Sequence, residues 1–88
     1  MIKSVKINVA RMINNNDVAK FAADVKMYRR LAIQNRTMTP SIHVNHEILT
    51  AGEFEREVNS GNVTADDVVE LSYDTTNISA DVVYTYTR

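Results

Sequence analysis

The chain has 88 residues, of which 44% are hydrophobic and 24% are charged, and its formal net charge is −1 at pH 7. This length supports one domain over residues 1–88 with a single modest core, and this composition is ordinary for a globular protein. The sequence contains no cysteine, two glycines and one proline. Disulfides, thiolate metal sites, cysteine catalysis and glycine-rich phosphate-binding loops are therefore excluded.

The near-neutral total hides an uneven distribution of charge along the chain. Residues 1–45 contain eight basic and two acidic side chains, a net charge of +6. Residues 46–88 contain two basic and nine acidic side chains, a net charge of −7. Such asymmetry is typical of a surface that binds a polyanion, or of unlike surfaces that pair within or between chains.

The first elements predicted along the chain are a strand and a long helix. Residues 3–10 alternate between polar and apolar, which predicts a half-buried strand. Residues 14–17 offer side chains that cap a helix, and an apolar stripe at helical spacing predicts this helix from residue 18 to about residue 31. We expect the stripe to face the sheet. It consists of Val18, Phe21, Ala22, Val25, Tyr28 and Ala32.

The middle of the chain predicts two short strands. Pro40 disfavours helix in the residue before it and marks a turn or a strand start. Apolar Ile42 and Val44 alternate with polar residues, which predicts a strand. Asn45 and His46 then form a tight turn before a second extended segment at residues 48–49.

A second, shorter helix follows these strands. Thr50 and Glu53 have the spacing of a capping box, in which each side chain bonds a backbone N–H of the other residue. This pattern predicts a helix that begins near Thr50 and ends at residues 60–61, where Ser60 precedes a glycine.

The C-terminal third is predicted to form the last two strands, over residues 68–73 and 81–87, with a turn between them. For residues 68–73 the periodicity leaves a helix open, capped by residues 64–67. In the last strand, Val82, Tyr84 and Tyr86 share one face. The predicted order, β-α-β-β-α-β-β, defines an α+β two-layer sandwich with a largely antiparallel sheet and helices on one face.

One segment resembles a known family. Residues 18–28, which read VAKFAADVKMY, are similar to the first helix of the histidine-containing phosphocarrier proteins of the sugar phosphotransferase system. Residues 66–71 fall where that family has its second helix and the following strand. The family's phosphorylated histidine lies just before the first helix, whereas residues 11–17 contain no histidine, and the predicted last strand stands where the family has a helix. The resemblance implies at most a shared fold, without phosphotransfer.

The segment from His43 to Glu47 has the composition of a metal site. On a helix, His43 and His46 share a face and bind zinc with a carboxylate as third ligand. On a strand, their odd separation sends the two imidazoles to opposite faces. Because Pro40 and the alternation after it favour a strand, we expect no metal site, and no cofactor.

Acidic and hydroxyl side chains do not indicate catalysis. The carboxylates of Glu53, Glu55 and Glu57 and the pair at residues 66–67 do not lie in an apolar stretch of sequence that would raise a pKa, so they predict solvated surface. The serines lack the context of a nucleophile elbow. We expect no enzyme.

The basic segment around residues 26–30 is the best candidate site. Lysine and arginine contact phosphates or acidic side chains, and Tyr28 is positioned in sequence to stack on an unpaired base, although it also belongs to the apolar stripe. An alternative role for the cations is to solvate the helix and complement its dipole. The candidate partner-binding residues are Lys20, Lys26, Met27, Arg29, Arg30 and Arg36.

The leading hypothesis is a small non-enzymatic regulatory or interaction protein, of the kind found in phages or as accessory bacterial proteins. It would bind an acidic protein, or RNA or DNA, through a basic helix face. The alternatives are a single-stranded nucleic-acid-binding module and a homo-oligomer that pairs basic and acidic halves. The absence of a long apolar run predicts no signal peptide, no membrane segment and a cytoplasmic location.

Overall fold

The computed structural model describes the backbone of all 88 residues and every side chain except those of Ile13 and Asn15. Along the described backbone, four strands and four helices follow one another. They are β1 (Ile2–Lys6), α1 (Val9–Asn15), α2 (Asp17–Asn35), β2 (Ser41–Val44), β3 (Glu47–Leu49), α3 (Ala51–Asn59), β4 (Val69–Asp74) and α4 (Ala80–Thr87).

The strands form one open sheet in the order β1-β4-β2-β3, and all neighbouring strands are antiparallel. Alternation along β4 buries Val69, Leu71 and Tyr73 in the core that the sheet shares with the helices, whereas Glu70 and Ser72 lie on the opposite face. The α+β class, the antiparallel sheet and the strand at residues 68–73 are therefore confirmed.

Helix α2 contributes the most buried side chains of any helix to the core. Val18, Phe21 and Val25 are buried as the apolar stripe predicts, and Phe21 is fully inaccessible. Tyr28 is only half-buried and packs against the edge of the core. The prediction that this stripe faces the sheet is confirmed for its central residues.

The same helix is longer than predicted. It continues to Asn35 and ends where Arg36 adopts a left-handed conformation with φ of 56°. The N–H of Arg36 donates to the carbonyl oxygens of the last turn, as is common at helix C-termini. The extension places Ile33, which lies beyond the predicted end near residue 31, on the helix.

The β2–β3 hairpin and α3 follow the sequence closely. Asn45 and His46 have positive φ angles of 49° and 75° and form the two-residue turn between the strands. Thr50 Oγ1 accepts from the N–H of Glu53 at 3.1 Å, and Glu53 Oε1 accepts from the N–H of Thr50 at 2.9 Å. The predicted capping box is thus present, and Gly61, with φ of 82°, follows the end of the helix.

The N-terminal strand is shorter than its pattern predicts. It ends at Lys6, and Val9 already begins α1, so the strand predicted over residues 3–10 was wrong beyond Lys6. Asn8 caps α1 by accepting from a backbone N–H of the first turn. Ile7 and Val9 are both buried in the core. The alternation of apolar residues therefore continues from the link after β1 into α1, and periodicity alone does not show where the strand ends.

The C-terminal segment is a helix, so the strand predicted over residues 81–87 was wrong. The observed order is β-α-α-β-β-α-β-α. Ser79 caps α4 through its hydroxyl. Helical spacing buries Val83 and Tyr86 but leaves Tyr84 57% exposed, so Tyr84 and Tyr86 do not share a face.

Tertiary packing explains why α4 is helical. Its valines, tyrosines and threonines favour strands locally. The Tyr86 ring, however, lies edge-on to Phe21 with ring centroids 5.0 Å apart, its hydroxyl donates to Asp24, and its carbonyl oxygen accepts from the N–H of Asn8. These contacts outweigh a local preference that spans about 1 kcal/mol.

Three carboxylates predict acid sensitivity. Hydrogen bonds, first of all from the backbone N–H groups of threonines, hold the pKa of Glu53, Asp67 and Asp74 below its ordinary value. Such groups stabilise the fold fully above their ordinary pKa values, here 4.5 for the glutamate and 3.8 for the aspartates, and this stabilisation is lost as the pH falls further. We expect the Tm to fall as the pH is lowered from about 5 through the lowered pKa values of these carboxylates, and less steeply in Asp67→Asn. A Tm that stays constant over this range would contradict this role of the carboxylates.

Candidate interaction surface

All six residues predicted to bind a partner are exposed. We call them the basic surface of α2; they are Lys20, Lys26, Met27, Arg29, Arg30 and Arg36. Lys20, Met27 and Arg30 recur at helical spacing and point away from the core because Phe21 and Val25 point into it. The surface extends for about 15 Å from Lys20 to Arg30 along the helix.

The other three cations of the basic surface, Lys26, Arg29 and Arg36, lie at its margins. Arg29 lies closer to the buried stripe, where it flanks Val25, as its sequence position predicts. Arg36 lies just beyond the last turn of α2, where a cation complements the negative end of the helix dipole. The structure therefore places Lys20 and Arg30 on the outer face of α2, and Lys26 and Arg29 together along its flank.

The cations of this surface are not neutralised by the acidic half of the chain. None of the five lies within 4.0 Å of a carboxylate that the structure describes. Two of the three carboxylates of α3 are used elsewhere, since Glu53 caps its own helix and Glu57 accepts from the side chain of Asn62 at 3.1 Å. Helix α3 packs beside α2 without its carboxylates pairing with these cations.

Exposed apolar side chains lie on the same helix. Met27 is 47% exposed, Leu31 38% and Ile33 54%. Sequence reasoning included Met27 but missed Leu31 and Ile33, because the helix was predicted to end near residue 31. Met27 and Leu31 lie one turn apart, and neighbouring exposed apolar side chains are more typical of interaction surfaces than of solvated helix faces.

Tyr28 is not available for base stacking in the way that its position in sequence suggested. Its ring packs against the core, and burial, followed by the charge of Asp24, raises its pKa. The exposed aromatic side chain is Tyr84 on α4, whose ring lies 4.5 Å from the guanidinium carbon of Arg88.

A groove runs beside the basic surface, between α2, the edge strand β3 and the start of α3. Its volume is about 560 Å³. It is lined by Val25, Lys26, Arg29, Thr39, Pro40, Ser41, Ile42, Ile48, Leu49, Thr50, Ala51 and Gly52. The sequence gives no signal for this groove, because residues 25–29 and 48–52 meet only in the folded chain.

The two histidines do not diverge as the strand argument predicted. His43 lies on β2, but His46 lies in the hairpin turn, and both line one pocket of about 190 Å³ together with Glu70. His43 Nε2 is hydrogen-bonded to Ser41 Oγ at 2.8 Å. Among the described residues, no three histidine or carboxylate side chains converge closely enough to hold a metal ion.

The acidic pair at residues 66–67 has a structural use. Asp67 accepts from the N–H of Thr64 at 2.9 Å and from Asn45 Nδ2 at 2.8 Å, which ties the loop before β4 to the hairpin turn. Asp66 is exposed. Asp67 therefore organises this loop, and it also lines a pocket with Glu47, Glu53 and Glu57.

Comparisons with known protein families, with curated proteins and with solved structures find no significant match. The predicted last strand, which separated the chain from the phosphocarrier proteins, is a helix in the structure. The family's phosphorylated histidine still has no counterpart in residues 11–17. None of the helices that the structure describes combines the length and hydrophobicity needed to span a membrane.

Proposed function

We propose that this chain is a small non-enzymatic interaction protein that binds an acidic protein through the basic surface of α2. One observation carries the proposal: four exposed cations of α2, and Arg36 directly after it, have no carboxylate partner, and the same helix exposes Met27, Leu31 and Ile33. Unpaired cations steer an acidic partner toward the helix, and the apolar side chains supply surface to bury on contact.

The apolar component favours a protein partner over a nucleic acid. Methionine, leucine and isoleucine side chains gain by burial against another protein, whereas single-stranded nucleic acids are bound by cations interleaved with exposed aromatic side chains. Tyr28 is half-buried, and Tyr84 lies on a different helix. Nucleic-acid binding remains the second candidate because the cations are unneutralised.

Self-association is the third candidate. Four carboxylates and Arg56 line a polar pocket of about 440 Å³, whose net negative charge complements the basic surface of another copy. The carboxylates are those of Glu47, Glu53, Glu57 and Asp67. Such a contact would join unlike surfaces and would generate a ring or a filament. A small accessory protein of a phage or bacterium that acts in the cytoplasm is the setting that we propose for the function.

A non-enzymatic role is supported by how the carboxylates are used. Glu53, Asp67 and Asp74 accept backbone hydrogen bonds that lower the pKa of each group, so all three stay ionised at neutral pH. A general acid requires the opposite shift. These groups hold turns and a helix terminus together.

Charge reversal on α2 tests the proposal. Lys26→Glu with Arg30→Glu is expected to abolish capture of the partner from a cell lysate while leaving the Tm nearly unchanged, because exposed substitutions change stability by less than about 0.5 kcal/mol. The control is Lys3→Glu with Arg88→Glu, which changes the net charge equally at exposed positions away from α2. Equal capture by both double variants and the wild type, measured by quantitative mass spectrometry, would contradict the proposal.

A further inference from the structure

We infer that the groove between α2, β3 and the start of α3 binds an extended acidic segment of the partner, anchored by one aliphatic side chain. This inference rests on the proposed function. It specifies where the partner binds, which is the groove, and which chemical groups of the partner are bound, which are carboxylates and one aliphatic side chain. Three observations support it: the aliphatic floor of the groove, the positive charge at its rim and the unpaired edge of β3 beside it.

The floor of the groove is aliphatic. Val25, Pro40, Ile42 and Leu49 line it from four different elements or loops, and none of the lining side chains that the structure describes is aromatic. Its volume of about 560 Å³ lies within the range of sites that bind ligands. A leucine, isoleucine or valine side chain fits such a floor, whereas a nucleobase finds no ring to stack on.

The rim of the groove carries positive charge only. Lys26 and Arg29 are the charged residues among the described lining, and neither is near a carboxylate. The first turn of α3 also faces the groove, and a Cβ added at Gly52 would meet no atom within 4 Å, so the groove is open there. An occupant with carboxylates on either side of its aliphatic anchor complements this charge.

The sheet edge favours an extended occupant over a helical one. β3 pairs with β2 on one side, and no other strand of the described chain pairs with it on the other side. Ile48 and Leu49 of this edge strand line the groove. An extended segment can therefore use the free backbone groups of β3 while its anchor enters the groove, which is recognition by strand addition.

Two synthetic peptides test the chemistry on the full-length protein. The first is an acetylated eight-residue peptide with a central leucine flanked by glutamates, and the second carries serine in place of the leucine. In NMR titrations of the ¹⁵N-labelled protein, the leucine peptide is expected to shift the amide signals of Val25, Leu49 and Gly52. The serine peptide is expected to bind about tenfold more weakly, because it lacks the side chain that the floor buries.

Two pairs of substitutions on the same helix test the location. Lys26→Glu with Arg29→Glu is expected to weaken binding of the leucine peptide by about tenfold or more. Lys20→Glu with Arg30→Glu makes the same change of charge on the outer face, outside the lining, and is expected to weaken binding by less than about threefold at moderate salt. Amide spectra of both variants show whether the fold is intact.

Several outcomes would overturn the inference. Equal losses of peptide affinity from both pairs of substitutions would mean that the charge of α2 as a whole attracts the peptide and that the groove is not the binding site. Equal affinity of the two peptides would show that the aliphatic side chain does not contribute to binding. Shifts in the groove caused by an eight-nucleotide oligothymidine at the same concentration would assign it to nucleic acid. If the peptide fails but charge reversal at Lys26 and Arg30 still abolishes capture from lysate, the groove is wrong while the proposed function stands.

Discussion

Replacing Phe21 with alanine is expected to lower the free energy of unfolding by about 3–5 kcal/mol. Its ring is fully inaccessible at the centre of the core. It makes edge-to-face contacts with Phe54, at a centroid distance of 5.4 Å, and with Tyr86 at 5.0 Å. The substitution therefore leaves a cavity among the sheet, α3 and α4, and small domains have only about 5–15 kcal/mol of stability in total.

Urea unfolding of the wild type and the variant measures this loss. Met27→Ala provides the control on the same helix, because Met27 is 47% exposed and its truncation should change stability by about 0.5 kcal/mol or less. If Phe21→Ala and Met27→Ala have similar midpoints, the buried stripe of α2 is misassigned.

Replacing Tyr86 with alanine is expected to cost nearly as much, about 3–5 kcal/mol, whereas Tyr84→Ala should cost about 1 kcal/mol or less. In α4 the two tyrosines lie on different sides of the helix. Tyr86 is 5% exposed and packs on Phe21, while Tyr84 is 57% exposed and contacts Arg88. In a strand both would share a face, so the comparison separates the two secondary structures.

Tyr86→Phe refines the same test by keeping the ring and removing the hydroxyl that donates to Asp24. It should cost about 1 kcal/mol, between the wild type and the alanine variant. Thermal or urea unfolding of the three variants provides the ranking. Equal destabilisation by Tyr84→Ala and Tyr86→Ala would contradict the helical assignment of α4.

The parts of the fold that were predictable from the sequence are those specified by neighbouring residues. The capping box of Thr50 and Glu53 and the turn at Asn45 and His46 are local signals, and the structure contains both. The alternation along β4 is also local, because one face of the strand is buried and the other is not.

The two misassigned ends depend on distant contacts. At the N-terminus, Ile7 and Val9 are both buried, but Ile7 lies in the link after β1 and Val9 begins α1, so the alternation did not reveal where β1 ends. At the C-terminus, the strand-favouring composition of α4 is overridden when Tyr86 packs on Phe21, a contact between residues far apart in sequence.

The candidate site was predictable in composition but not in shape. Helical spacing alone places Lys20 and Arg30 away from the core, and their exposure agrees with it. The groove could not be predicted, because Lys26 and Arg29 meet Leu49 only when the hairpin and the helix pack together. The shared pocket of His43 and His46 was missed for a similar reason, since the turn brings His46 back over the sheet.

The most direct test of the central claim is affinity capture from nuclease-treated lysate, with the wild type and the Lys26→Glu, Arg30→Glu variant compared at low and high salt. The proposed function predicts that the wild type retains an acidic protein after nuclease treatment, and that high salt or the double variant releases it, because screened ion pairs supply the attraction. Loss of all captured material on nuclease treatment, or equal capture by the variant at every salt concentration, would contradict the claim that the basic surface of α2 binds an acidic protein.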